Sequence, residues 1–191
     1  PLCATLQLTS MTQIIIEPLK GISISQVGRI LLGDSIDQVI SVIGEPSSWQ
    51  NREAQQYILK RAYYNNLEMR VDYDQFNRIE FIEFIFGPFP EKTSLQIYDV
   101  DPFKVYDTEL IKVLTFKNNQ QPDDTEAPYC YTFNNIGVGI WRDTDSKDIE
   151  NWITEKRISG EYEADKNWLN EELEKSRHFW TIGIGNKEYY N

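Results

Sequence analysis

Residues 30–46, Ile-Leu-Leu-Gly-Asp-Ser-Ile-Asp-Gln-Val-Ile-Ser-Val-Ile-Gly-Glu-Pro, constrain the chain most, because they carry both the start and the stop of a helix. Ser35 is a good N-cap, since its hydroxyl can accept from an orphan N–H of the first turn. Gln38, three residues on, completes a capping box. Asp34 and Asp37 place negative charge at the positive end of the helix dipole. Ile36, Val39, Ile40 and Ile43 fall at i, i+3, i+4 and i+7, one apolar stripe. Gly44 supplies the left-handed stop and Pro46 blocks continuation. Burying such side chains contributes about 1.5–3 kcal/mol each before ordering costs. The stretch therefore predicts a packing helix, not a catalytic one.

Around that helix the sequence predicts antiparallel strands. Residues 14–16 read as a short edge strand stopped by Pro18 and Gly21. Ile22 and Ile24 alternate with serines, and residues 47–55 read as a polar loop. Strands are predicted at 56–64, 67–73 and 78–86. Asn65-Asn66 and Asp74-Gln75-Phe76-Asn77 form the turns, and Gly87-Pro88-Phe89-Pro90 ends the run. A second pass begins at Asp107-Thr108-Glu109, with Leu110, Val113 and Leu114 as its stripe and 118–128 as its acidic loop. Residues 64–71 align with 133–140 at an offset of 133 − 64 = 69, and the caps align at 107 − 34 = 73. Asp145 or Ser146 caps a further helix, and a helical segment follows at 164–176 before a closing strand at 178–184.

The expected fold is α+β: two tandem helix-plus-antiparallel-sheet repeats forming one continuous sheet, with a helical pair inserted in the second. Repeat one covers about 22–90 and repeat two about 98–191, with the insertion at about 146–176. Residues 1–10 precede Met11 and read as a vector-derived or upstream-translated tail, leaving 11–191 as a single domain.

Charge narrows the function. Thirty acidic residues against 19 basic ones give a net charge of −11. Such a chain is repelled by nucleic acid and anionic membranes and attracts a basic protein. Two cysteines, Cys3 and Cys130, are too few for a disulfide framework, which suits a reducing, cytoplasmic setting.

Catalytic patterns are weak. His178 is the sole histidine and sits beside Phe179 and Trp180 at a strand start, a structural setting. No Cys-x-x-Cys or His-x-x-x-His spacing suggests zinc. Asp143-Thr144-Asp145 opens like a calcium loop, but Lys147, Asp148 and Thr154 stand where that loop needs a ligand, a glycine and a glutamate. The expectation is no enzyme, no metal and no cofactor. Gly137, Gly139, Gly183 and Gly185 leave one sheet face bare, open to another backbone, a packed helix or a partner. Carboxylates gather in two predicted loops near tyrosines: Asp99 and Asp101 beside Tyr98, then Asp123, Asp124 and Glu126 beside Tyr129 and Tyr131 of a strand predicted at 129–133. Aromatics supply anchors and carboxylates steer a basic partner, so these eight are the candidate binding residues.

Gly33-Asp34-Ser35-Ile36-Asp37-Gln38-Val39 followed by Gly44-Glu45-Pro46 resembles the short helix motif of the BamE and β-lactamase-inhibitor-protein-like superfamily. The resemblance covers roughly 33–86 and more loosely 107–141. It implies a capped helix followed by antiparallel strands, duplicated in the inhibitor protein, whose concave sheet face binds an enzyme. Departing from that pattern, the expectation here is no secretion signal, no lipidated cysteine and no pair of stabilising disulfides. By analogy with small acidic immunity proteins, the leading expectation is a non-catalytic bacterial protein, monomeric or weakly dimeric, that neutralises a toxin by occlusion. The alternative is a structural or regulatory domain with an oligomeric or other protein partner.

Overall fold

Helix α1 (Ile36–Ile43) forms where its cap predicts. Ser35 Oγ accepts from Gln38 N, Gln38 Oε1 accepts from Ser35 N, and Gly44 ends the helix at φ 79°. In the computed structural model, which describes residues 11–54 and 57–190, this helix belongs to an α+β fold. The tail assigned to residues 1–10, with Cys3, lies outside the described residues.

The strands are β1 (Thr12–Glu17), β2 (Gly21–Ile24), β3 (Gly28–Leu31), β4 (Ser48–Ala54), β5 (Tyr57–Tyr64), β6 (Met69–Tyr73), β7 (Ile79–Phe84), β8 (Thr93–Ile97), β9 (Cys130–Phe133), β10 (Val138–Trp141) and β11 (Thr181–Gly185). They do not form the single continuous sheet expected from the pattern. They divide into a four-stranded sheet, β3-β2-β1-β8, and a seven-stranded sheet, β4-β5-β6-β7-β11-β10-β9. The cause is β8, a segment the sequence pattern left unassigned. It pairs in parallel with β1, Ile14 opposite Leu95 and Ile16 opposite Ile97, and so draws the N-terminal strands into a sheet of their own. Strands β2, β3 and β8, which the expected repeats included or adjoined, therefore stand outside the large sheet. Residues 14–16 lie inside this sheet, between β2 and β8, and not at its edge.

A second correction concerns 47–55, expected as a loop. Ser48–Ala54 is strand β4, paired antiparallel with β5. Trp49 packs against Tyr73 across the sheet, with ring centroids 6.0 Å apart.

One core joins the two sheets. The inner face of the small sheet (Ile14, Ile16, Ile22, Ile24, Leu95, Ile97) meets that of the large one (Val71, Ile82, Phe84, Val138, Ile182, Ile184), with Val39 of α1 and Leu110 and Leu114 of helix α2 (Asp107–Asn118) between. Glu68 ties the sheets at one corner. Buried in the β5–β6 turn at φ 51°, its carboxylate accepts from Thr93 N (2.9 Å) and Thr93 Oγ1 (2.6 Å) at the start of β8.

Helices α3 (Ser146–Ser159) and α4 (Tyr162–Lys175) form the expected insertion before β11. Asp145 is the N-cap of α3, in a reciprocal capping box with Asp148, which explains the aborted calcium-loop pattern. This hairpin has its own small core of Ile149, Ile153 and Leu169. Arg142 anchors its return. The buried guanidinium donates to Asp107 Oδ2 (2.7 Å), Ser176 O (2.9 Å) and Pro128 O (2.9 Å) and lies over the Phe179 ring. Asp107 is thus an ion-pair partner in the first turn of α2, and Tyr106 occupies the N-cap position that the repeat assigned to the Asp107 segment. No helix among the described residues is long and apolar enough to cross a membrane.

Candidate functional site

The outward face of the seven-stranded sheet brings ion pairs and aromatic rings together. Register builds it. Because side chains alternate, residues directly opposite across each ladder share one face. One row crosses the whole sheet: Ser48, Tyr63, Arg70, Glu83, Gly183, Gly139 and Thr132. A second row beside it runs Gln50, Arg61, Asp72, Phe81 and Gly185. A third, shorter row is Thr181, Trp141 and Cys130.

Two ion pairs sit in these rows. Arg61 holds Asp72 with both arms of its guanidinium, at 2.6 and 2.8 Å, and the Asp72 side chain is wholly buried. Hydrogen bonding to Asp72 raises the Arg61 pKa. Arg70 Nε lies 2.5 Å from Glu83 Oε2. Burial pushes the Glu83 carboxyl up, and the Arg70 charge opposes that shift. Such pairs favour a fixed surface pattern more than they favour net stability. Tyr63 donates to Gln50 Oε1 at 2.9 Å and borders both pairs.

The bare face at Gly139, Gly183 and Gly185 is covered by neither a helix nor a partner but by another stretch of this chain. Segment 186–190 turns back beneath β11 and lays two rings on the sheet. Tyr189 stacks on Phe81 at 4.3 Å and 5°. Tyr190 lies over Gly139, where an added Cβ would stand 2.8 Å from its hydroxyl, and donates to Gly183 O at 3.3 Å. Burial raises the Tyr190 pKa. A cavity of about 210 Å³ remains beside these rings, lined by Arg70, Glu83, Cys130, Trp141 and Thr181 among others.

The eight residues singled out from sequence fall into two settings. Tyr98, at φ 53°, and Asp99 border a groove along α2, and Lys117 Nζ lies over the Tyr98 ring at 4.9 Å. Asp101 turns inward on its own loop, accepting from Phe103 N and pairing with Lys104. The acidic loop instead runs beside β9, where Asp123 pairs with Thr132. Asp123 is occupied by Thr125, whose hydroxyl and N–H lower its pKa. Asp124 and Glu126 are exposed. Glu126 and Asp123 reinforce the burial that raises the Cys130 pKa, so this loop forms an acidic rim to the sheet face. Tyr129 donates to Asp148, which raises the tyrosine's pKa. Tyr131 points the other way. It lies in the inner row, edge-on to Phe179 at 5.9 Å, because β9 alternation places Cys130 and Thr132 outward. The structure thus gives the expected residues two separate sets of neighbours, and only the second adjoins the sheet face.

Sequence reasoning missed Arg61, Tyr63, Arg70, Phe81 and Glu83. The signal was incomplete: a two-residue Asn65-Asn66 turn pairs residues whose numbers sum to 131, whereas the observed turn spans 65–68 and makes the sum 133, which sets Arg61 against Asp72 and Tyr63 against Arg70. His178 lies elsewhere, buried between Tyr106 and Phe89, with Nδ1 3.0 Å from Val105 O. Among the described residues no group of three His, Cys, Asp or Glu is placed to hold a metal ion. No protein-family model matches the chain, and neither a curated protein nor a solved structure matches it.

Proposed function

We propose that the chain is a non-catalytic protein-binding module whose docking face is the outward side of the seven-stranded sheet. The observation that carries this reading is the pair of adjacent rows through Tyr63 and Phe81, where the Arg70–Glu83 and Arg61–Asp72 ion pairs lie beside aromatic side chains on a face turned away from the core. Aromatic anchors around desolvated charge are the composition of binding hot spots. The acidic rim at Asp124 and Glu126, with a net charge of −11, selects a basic partner and speeds its approach. The narrower form of the proposal is an immunity-type inhibitor that occludes a basic toxin. Its support is charge and the resemblance of residues 33–46 to inhibitor-like proteins.

We also infer that the two halves of the large sheet descend from one duplicated unit. Strands β5-β6-β7 meet β11-β10-β9 in mirrored order, and the turns before β6 and β10 both end in a left-handed residue, Glu68 and Gly137.

The test is capture of basic proteins from lysate by the intact chain and by two variants. One variant combines Tyr63→Ala with Trp141→Ala; the other combines Asp124→Lys with Glu126→Lys. A partner kept at low salt, lost from the first variant and bound about tenfold more slowly by the second, supports the reading. Equal retention by all three chains refutes it.

A further inference from the structure

The side chains of segment 186–190 show what the docking face accepts. Glycine at 139, 183 and 185 removes side chains from three neighbouring strand positions and leaves a notch in an otherwise crowded face. A Cβ at Gly183 would lie 2.2 Å from the Phe81 ring, and one at Gly185 would lie 2.9 Å from Tyr189 Cβ. The notch takes one phenol ring, Tyr190, and offers its hydroxyl the carbonyl of Gly183. Phe81 closes one side, in edge contact with Tyr190 at 6.1 Å, and the Arg70–Glu83 pair lies in the same cavity wall.

Two rings of the segment rest on the sheet. Its backbone N–H groups at Glu188 and Tyr189 are taken up within the segment, by Asn186 Oδ1 and Asn186 O. The sheet's own ladder, Gly183 opposite Gly139 and Gly185 opposite Phe81, is complete without it. The two rings can therefore leave without breaking a strand pair.

We propose that this glycine-floored notch is a receptor for one tyrosine side chain of a basic protein partner, and that Tyr190 holds it in cis until the partner's ring takes its place. The inference rests on the docking reading above and adds the chemistry of the contact. Phenol geometry selects tyrosine: the ring stands over bare glycine backbone, and its hydroxyl has a carbonyl acceptor. Glu126 and Asp123, which act on Cys130 in the same cavity wall, favour lysine or arginine beside that tyrosine.

The experiment uses fluorescein-labelled peptides with a central tyrosine flanked by lysines, and the same peptides with serine at the centre. Binding is read by anisotropy against the intact chain, against Tyr190→Ala, and against Tyr190→Ala combined with Gly139→Leu. Near-UV circular dichroism confirms folding, and Tyr190→Ser serves as a second vacant-notch variant should alanine fail to fold. The expected result is tyrosine-peptide affinity about tenfold higher for Tyr190→Ala than for the intact chain, since a cis competitor divides affinity by the vacant fraction. The serine peptide loses that gain, and Gly139→Leu abolishes it. If tyrosine and serine peptides bind every chain equally, the face attracts basic peptides by charge alone; the notch inference then falls while the docking reading survives. Binding to none of the chains at millimolar peptide also overturns the inference, leaving the docking reading to the lysate capture.

Discussion

Replacing Glu68 by alanine removes the tie between the two sheets, and the structure sets the size of the effect. Its carboxylate takes four donors: Glu91 N at 2.8 Å, Lys92 N at 3.2 Å, Thr93 N at 2.9 Å and Thr93 Oγ1 at 2.6 Å. Thr93 is 1% exposed and Glu68 4%. In Glu68→Ala the donors of Glu91 and Lys92 turn to water at little cost. The two on Thr93 stay buried and unpaired, at about 1–3 kcal/mol each, or about 2–6 kcal/mol together. Alanine keeps the Cβ, so the left-handed backbone at φ 51° is unchanged and the difference isolates the carboxylate. Urea unfolding at pH 7 reads the loss as a lowered midpoint at constant slope. Glu68→Gln, which keeps one acceptor oxygen, should fall between wild type and alanine. A Glu68→Ala loss below about 1 kcal/mol would refute the idea that this carboxylate holds β8 to the large sheet.

Two further predictions concern buried charge. Arg142→Ala should cost about 3–5 kcal/mol, because it strands Asp107 and leaves the Ser176 and Pro128 carbonyls without their donor; a urea midpoint within error of wild type contradicts this. Glu83 bears on pH. Burial raises its pKa in the folded chain, so its neutral form favours folding. That contribution is complete below the ordinary carboxylate pKa and is lost as pH rises through the folded value. The stability of Glu83→Gln relative to wild type should therefore climb from pH 4 to pH 7, measured by urea unfolding at each pH, and a flat or falling difference rules the argument out.

The parts of the fold legible in the sequence are those with local causes. The α1 capping box, the Asp145 cap of α3 and the turns after Tyr64 and Tyr73 depend on residues within a few positions of each other. The strand periods of β5, β6 and β7 were readable for the same reason, although β6 and β7 are shorter than the predicted 67–73 and 78–86. What escaped was non-local. The parallel pairing of β1 with β8 joins residues about 80 positions apart, and no periodicity in either segment announces it. Strand β4 was hidden by its polar composition, which an edge strand tolerates because one side meets water. The candidate site was half legible. Acidic residues at 123–126 were visible as a cluster, but Tyr131, a candidate binding residue, turns inward, because the strand parity of β9 depends on where that strand begins. The glycine stripe was visible as a vacancy, whereas its occupant, sequence-distant for Gly139, was not.

The most direct measurement of the central claim is photo-crosslinking from the sheet face. p-Benzoylphenylalanine replaces Tyr63, an aromatic for an aromatic on β5 of the face, and in a control chain replaces Phe76, 71% exposed in the β6–β7 turn. Both chains are irradiated with the basic partner captured from lysate. The account predicts a crosslink from position 63 that is lost at high salt, and none from position 76. A crosslink from position 76 with none from position 63 would contradict it and move the docking surface off the sheet.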